Sequence, residues 1–169
     1  MKLILSDLPL KISIQNEDIK LIDLSSLNIQ NCKGCFGCWT RTPGKCVIRD
    51  DAVKIYPLIA KSDKVIYITR IKYGGYDTVM KTMLERAIPI QQAFIRILDG
   101  ETHHLQRDVA LKDATIIGYG ADTEEEQQIF FKLIQRNSKN MNFNKSKIIF
   151  ADKEDLDAIV TSEVKKWER

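Results

Sequence analysis

Short, almost wholly apolar runs alternate along this chain with longer stretches of helical periodicity. KVIYIT at 64–69 and ATIIGY at 114–119 are near-continuous apolar runs, the pattern of strands covered on both faces. KLILS at 2–6, IKLIDL at 19–24 and KIIFA at 147–151 complete a set of five. Strands interleaved with helical segments predict an α/β fold, a parallel sheet with helices on both faces.

The helices carry readable starts. Thr123 followed by three glutamates fits a capping box with an acidic first turn, and Ile129, Phe130, Leu133 and Ile134 then supply one apolar face. Asp77 is placed to cap a helix with Val79, Met80, Met83, Leu84 and Ala87 on one side. Asp152 is placed to cap a last helix carrying Leu156, Ile159, Val160, Val164 and Trp167. Asp50 and Asp51 read as caps of a helix that Pro57 either kinks or delays until near Tyr56.

Two segments break the alternation. Asp99-Gly100 between two β-prone runs predicts an inserted β-hairpin near 93–106. The link from the first strand to the second, 7–18, is at the lower limit for a crossover helix, so a truncated crossover without one is expected.

Length and charge narrow the class. At roughly 150 residues per domain, the 169 residues read as one domain, 1–169. The 26 Lys and Arg against 23 Asp and Glu are interspersed, with no basic block, so no nucleic-acid partner is indicated. No apolar run approaches a membrane span, and the three-residue apolar stretch after Lys2 is too short for a secretory signal. No membrane association and a cytoplasmic location are the expectation, and reduced thiols with it.

All four cysteines then fall in one segment, Cys32, Cys35, Cys38 and Cys46, spaced C-x2-C-x2-C-x7-C. Gly34 and Gly37 let the backbone curl so that three thiols converge, and the fourth would complete an all-thiolate set for a [4Fe-4S] cluster. Unliganded or redox-active thiols are the plainer alternative. Zinc fits less well, because structural zinc sites pair two separate knuckles. The only two histidines, His103 and His104, are strand neighbours facing opposite sides, so at most one can reach a shared site.

NCKGCFGCW at 31–39, GKCVIRDD at 44–51, the strand ending at Thr69, YGGYD at 73–77 and MKTMLER at 80–86 follow one another in an order that resembles the iron-sulfur flavoprotein and NADPH-dependent FMN reductase families. The resemblance spans roughly 19–120. It implies a flavodoxin-like, doubly wound, five-stranded parallel sheet of order 2-1-3-4-5, and an NAD(P)H-linked, FMN-dependent oxidoreductase or electron-transfer flavoprotein. Thr69, Arg70, Tyr73, Gly74 and Gly75 would be its flavin-ring loop and the four cysteines its cluster ligands. Such proteins assemble through the face that closes the flavin site, so a homo-oligomer, or a complex with a related flavoprotein, is expected.

Physical reasoning places the ligand in the same region. Open sheets bind ligands beyond the carboxyl ends of the strands at the topological switch point, where Thr69 and Tyr119-Gly120 end their strands. Gly74 and Gly75 allow backbone amides close to a flat ring that Tyr73 or Tyr76 could stack on; a plain Gly-Gly turn with core tyrosines is the alternative. Arg70 and Lys72 either serve a reduced flavin or a nicotinamide phosphate, or sit in a solvated loop.

The pattern departs from the resemblance after the first strand. Where glycine-rich and hydroxyl-bearing residues would hold the FMN phosphate, this chain has Ser6-Asp7-Leu8-Pro9, without glycine and with an acid that repels phosphate. The alternative function is therefore a flavin-free relative acting as a binding or assembly subunit.

Overall fold

The computed structural model describes residues 1–167. Its central sheet is built from β1 (Lys2–Ser6), β2 (Ile19–Asp23), β3 (Lys64–Lys72), β7 (Lys112–Tyr119) and β8 (Phe143–Ala151), all parallel, in the order β2-β1-β3-β7-β8. This is the expected 2-1-3-4-5 arrangement. A two-residue strand, β4 (Gly75–Tyr76), folds back antiparallel on the end of β3.

Each face has its own core. On one, α2 (Ala52–Lys61), α3 (Thr78–Glu85) and α4 (Glu124–Asn140) bury Ile55, Ile59, Met80, Met83, Phe130 and Ile134 against Leu3, Leu5, Val65, Tyr67 and Ile116. On the other, α5 (Leu156–Trp167) sets Leu156, Val160 and Val164 against Ile4, Ile66, Ile68 and Ile117. Each such fully buried aliphatic side chain stabilises the fold by about 1.5–3 kcal/mol.

The crossover from β1 to β2 contains no helix, as expected. It runs extended, and Leu8, Leu10, Ile12 and Ile14 alternate with exposed Pro9, Lys11, Ser13 and Gln15. Those four apolar residues pack on the α5-side core, so a period of two does the covering that a helix would otherwise do. The Lys11 amide donates to Asp157 Oδ1 at 3.0 Å and pins the segment to α5.

The expected hairpin is present, as β5 (Gln91–Leu98) and β6 (Glu101–Gln106). Asp99 and Gly100 both have positive φ, the geometry of a two-residue primed turn. His103 Nδ1 lies 2.9 Å from Asn140 Oδ1, and Gln106 Nε2 donates to the Asn140 carbonyl, docking the hairpin on the end of α4.

Some helix starts differ from expectation. α2 begins at Ala52 and runs through Pro57, not from Tyr56, because Asp50 Oδ1 accepts the Ala52 amide at 3.1 Å; Asp51 instead accepts from the Asn28 amide. Asp152 makes no capping bond: a 3-10 turn, Lys153–Asp155, intervenes before α5. Thr123 caps α4 through the Glu126 amide, but the Glu126 carboxylate reaches back to Asp122 instead of to the cap residue. Val79 turns away from the core that Met80 and Met83 fill, and Ile129 is largely exposed where Phe130 is buried.

Candidate functional site

The switch point lies between β1 and β3, and Asp7 occupies it. Its Oδ2 accepts the Arg70 amide at 2.6 Å and its Oδ1 accepts the Tyr119 hydroxyl at 2.9 Å, so one carboxylate joins the ends of β1, β3 and β7. Burial raises the Asp7 carboxyl above its ordinary value, and these two donors partly counter the rise. Tyr119 is raised as well, by burial and by the adjacent Asp7 charge. A pocket of about 450 Å³ opens here, lined by Asp7, Arg70, Asp77, Tyr119, Gly120 and Asp152 among others.

The backbone beside Asp7 has no amide to offer an anion. The Asp7 amide donates to the Ile68 carbonyl at 3.1 Å, the Leu8 amide turns to Ser6 Oγ at 3.4 Å, and position 9 is proline. Helix-terminus phosphate sites depend on several unspent amides. The residues present here do not fit a flavin phosphate.

The segment expected to hold the flavin ring is divided by the fold. Thr69 does not end its strand: β3 runs on to Lys72, and the parallel register closes at Arg70 opposite Tyr119. Thr69 is buried one residue before that, its hydroxyl turned to the Arg70 carbonyl. Tyr73 and Gly74 both have positive φ and form the tip of the β3–β4 hairpin, with Tyr73 85% exposed. Tyr76 belongs to the core, edge-on to Phe130 with ring centroids 5.3 Å apart. Arg70, Tyr119 and Gly120 thus line the switch-point pocket, while Tyr73 and Gly75 line a second, larger cavity of about 1010 Å³. Asp77 lies in the walls of both.

Asn31, immediately before Cys32, lines that larger cavity too and meets Thr82 Oγ1 at 3.2 Å. The cysteine loop beyond it curls through Gly34 and Phe36, both at positive φ, into a single turn, α1 (Gly37–Thr40). Cys32 and Cys35 are exposed, Cys38 is buried and Cys46 is half-buried. Burial raises the Cys38 thiol above its ordinary value, and the neighbouring Cys46 adds to the rise. Among the described residues no three Cys, His, Asp or Glu side chains gather to hold a metal. The four thiols suit an all-thiolate cluster in kind, yet this arrangement does not bring them together.

The loop is fastened by a residue the sequence did not single out. Arg86, after α3, donates from Nη1 to Asp50 Oδ2 at 2.6 Å and to the Gln30 carbonyl at 2.7 Å, and from Nη2 to Asp50 Oδ1 at 2.9 Å and to Cys46 Sγ at 3.4 Å. Burial would raise the Asp50 carboxyl, but the Arg86 hydrogen bonds hold it below the usual range. A bidentate pair of this kind, fixed on both entry and exit of the loop, sets its position without spending water-exposed contacts. Its partners are 36 residues apart in sequence, so no local spacing announces them.

The histidines do face opposite ways. His103 meets Asn140 and Glu101, whereas the His104 ring packs on Trp39 of α1 with centroids 4.6 Å apart. Trp39 also donates to the Gln91 carbonyl, so the inserted hairpin braces the cysteine loop.

No family profile matches the chain. An iron-sulfur flavoprotein of Archaeoglobus fulgidus is 33% identical over 72 residues, 43% of this chain and 32% of the relative. One of Methanocaldococcus jannaschii is 27% identical over 77 residues, 46% of this chain and 39% of the relative. The chain thus aligns with roughly a third of the length of the curated relatives it matches. Among solved structures, an FMN-dependent NADH-azoreductase from Bacillus anthracis superposes with a TM-score of 0.60 at 10% identity, covering 98% of this chain and 95% of the other. The azoreductase AzrA superposes with a TM-score of 0.58 at 9% identity and the same coverage. Strand order and superposition together identify the fold as flavodoxin-like.

Proposed function

We propose that the protein is a flavin-linked oxidoreductase or electron carrier drawing electrons from NAD(P)H. The observation that carries this reading is the 1010 Å³ cavity, in whose wall the approach to the cysteine loop, at Asn31, meets the Tyr73–Asp77 segment. Its volume is sufficient for an aromatic ring system. The relatives named iron-sulfur flavoproteins, and the neighbour titled an FMN-dependent NADH-azoreductase, support the same class. A bound flavin supplies hydride acceptance and single-electron release. The chain's part is to wall the ring with Tyr73 and Gly75, beside Lys72; Lys81, also in the lining, is paired with Glu85 at 3.6 Å.

The thiols enter this reading as the second redox group. Four cysteines of one loop, one beneath the Arg86 guanidinium, have the donor chemistry of a [4Fe-4S] site, but no electron path is drawn through a cluster that the present arrangement does not gather. A cytoplasmic location belongs to this reading as the sequence-based expectation; among the described residues no helix is long and apolar enough to cross a membrane. A second copy of the chain, or a related flavoprotein, is the expected partner. The exposed Phe94, Ile95 and Ile97 of β5 suit such a contact.

A second reading has its own observation. The spent amides and the Asp7 carboxylate at the switch point favour a flavin-free binding or assembly subunit. One experiment separates the two: protein purified without oxygen is titrated with flavin and then with NADPH while absorbance is followed. Flavin bound one-to-one and bleached by NADPH supports the oxidoreductase. Absence of flavin binding at micromolar concentration overturns it in favour of the subunit.

A further inference from the structure

We infer that the switch-point pocket takes the hydroxyl chain of a non-phosphorylated flavin, and that Asp7 is the residue that rejects the phosphate of FMN. This rests on the flavin-linked reading and specifies which flavin that site prefers.

Three observations converge. The two donors that an anion would use at this spot, the Arg70 amide and the Tyr119 hydroxyl, are already taken by the Asp7 carboxylate at 2.6 and 2.9 Å. The amides that would replace them are spent on Ile68 and Ser6 or absent at Pro9, and the Lys11 amide is held by Asp157. Asp77 and Asp152 add further carboxylates to the lining, against the two cations Arg70 and Lys153. Asp7 is in effect the anion of the site, and an incoming phosphate meets three carboxylates, Asp7, Asp77 and Asp152, against these two cations.

The same groups suit hydroxyls. A carboxylate oxygen carries more than one lone pair, so each Asp7 oxygen retains acceptor capacity beyond its single bond. A neutral polyol chain brings donors and no charge. Asp77 lines both this pocket and the larger cavity, so the two lie side by side at one residue, and a polyol seated here is adjacent to a ring seated there.

The test is a parallel titration of the full chain with riboflavin and with FMN, read by quenching of flavin fluorescence, and repeated with Asp7→Asn and Asp7→Ser. Riboflavin is expected to bind at least about tenfold tighter than FMN, the scale of one unrelieved like-charge contact. Removing the Asp7 charge should narrow that ratio, and raised salt should narrow it in the parent. FMN binding as tightly as riboflavin, or tighter, overturns this inference and leaves the flavin-linked reading standing. A riboflavin preference that both variants retain in full overturns the role of Asp7. If neither flavin binds, this inference and the reading beneath it both fall. The comparison on the parent protein is decisive even where a variant folds poorly.

Discussion

Arg86 grips both oxygens of Asp50, at 2.6 and 2.9 Å, with the two side chains 0% and 2% exposed. The pair joins the end of α3 to the exit of the cysteine loop, while the same guanidinium holds the loop's entry at Gln30. Removing one member leaves the other charge buried and unpaired, which costs about 3–5 kcal/mol. Arg86→Ala is therefore expected to lower stability by that amount in urea unfolding. The double variant Arg86→Met, Asp50→Leu should lose clearly less than the two single losses added, because no lone charge remains. Additive losses would show that the pair does not act as a unit.

The sheet was legible because its signal is local. The runs at 64–69 and 114–119 are apolar on both faces, and the crossover is at the lower limit of length for a helix. The Asp99-Gly100 turn and the Thr123 cap likewise depend on neighbours within a few residues. The site was harder to read because its contacts are long-range. Asp7 was legible as an obstacle to phosphate, but not its bond to Tyr119, 112 residues away. Pro57 left open whether α2 is kinked or starts late; the start lies at Ala52, where Asp50 accepts the amide, and the proline sits inside the helix. Tyr76 and Tyr73 could be told apart only once the β3–β4 hairpin set one inward and the other outward.

The cysteines should react in the order of their environments. Cys32 and Cys35 are exposed, whereas Cys38 is buried and its thiol is raised by that burial. The thiolate is the reacting form, so iodoacetamide at neutral pH should label Cys32 and Cys35 first and Cys38 last, by at least about tenfold in rate. Peptide mass spectrometry over a time course measures this. Equal rates at all four positions would show that the loop opens faster than it reacts. Anaerobic loading with iron and sulfide is expected to protect all four together if the loop closes into a cluster site.

Gly74 is the one turn position where a side chain cannot be added cheaply. Its φ is +69°, and a Cβ built there would lie 2.6 Å from Ile129 Cβ and 2.5 Å from Ile129 Cγ2. Gly74→Ala combines a left-handed backbone penalty with a clash against α4, a loss of about 1–3 kcal/mol. Gly100, also at positive φ but with open space around it, is the control: Gly100→Ala carries only the backbone part. Thermal unfolding of the two variants should rank Gly74→Ala well below Gly100→Ala. The reverse order would mean that the β3–β4 hairpin does not pack on α4 in solution.

Lys112 predicts a rise of stability in alkaline solution. Its ammonium group is buried at the start of β7, donating to the Ala110 carbonyl at 2.5 Å and to the Met141 carbonyl at 3.4 Å. Burial pushes it down to about 8 from an ordinary 10.5. Between those two values the unfolded chain still holds the proton that the folded chain has released, so the unfolded state binds more protons and stability increases with pH. The cost is present in full below pH 8 and fades as pH rises toward 10.5. Lys112→Met removes the titrating group, at the expense of two carbonyl acceptors that lose a donor. The stability of the parent minus that of the variant should therefore climb between pH 8 and 10.5, by up to about 3 kcal/mol. The tyrosines and cysteines are common to both proteins and cancel in the difference. Parallel urea-unfolding profiles for parent and variant across that range would show that Lys112 keeps its proton in the fold, held by the two carbonyls more strongly than burial opposes it.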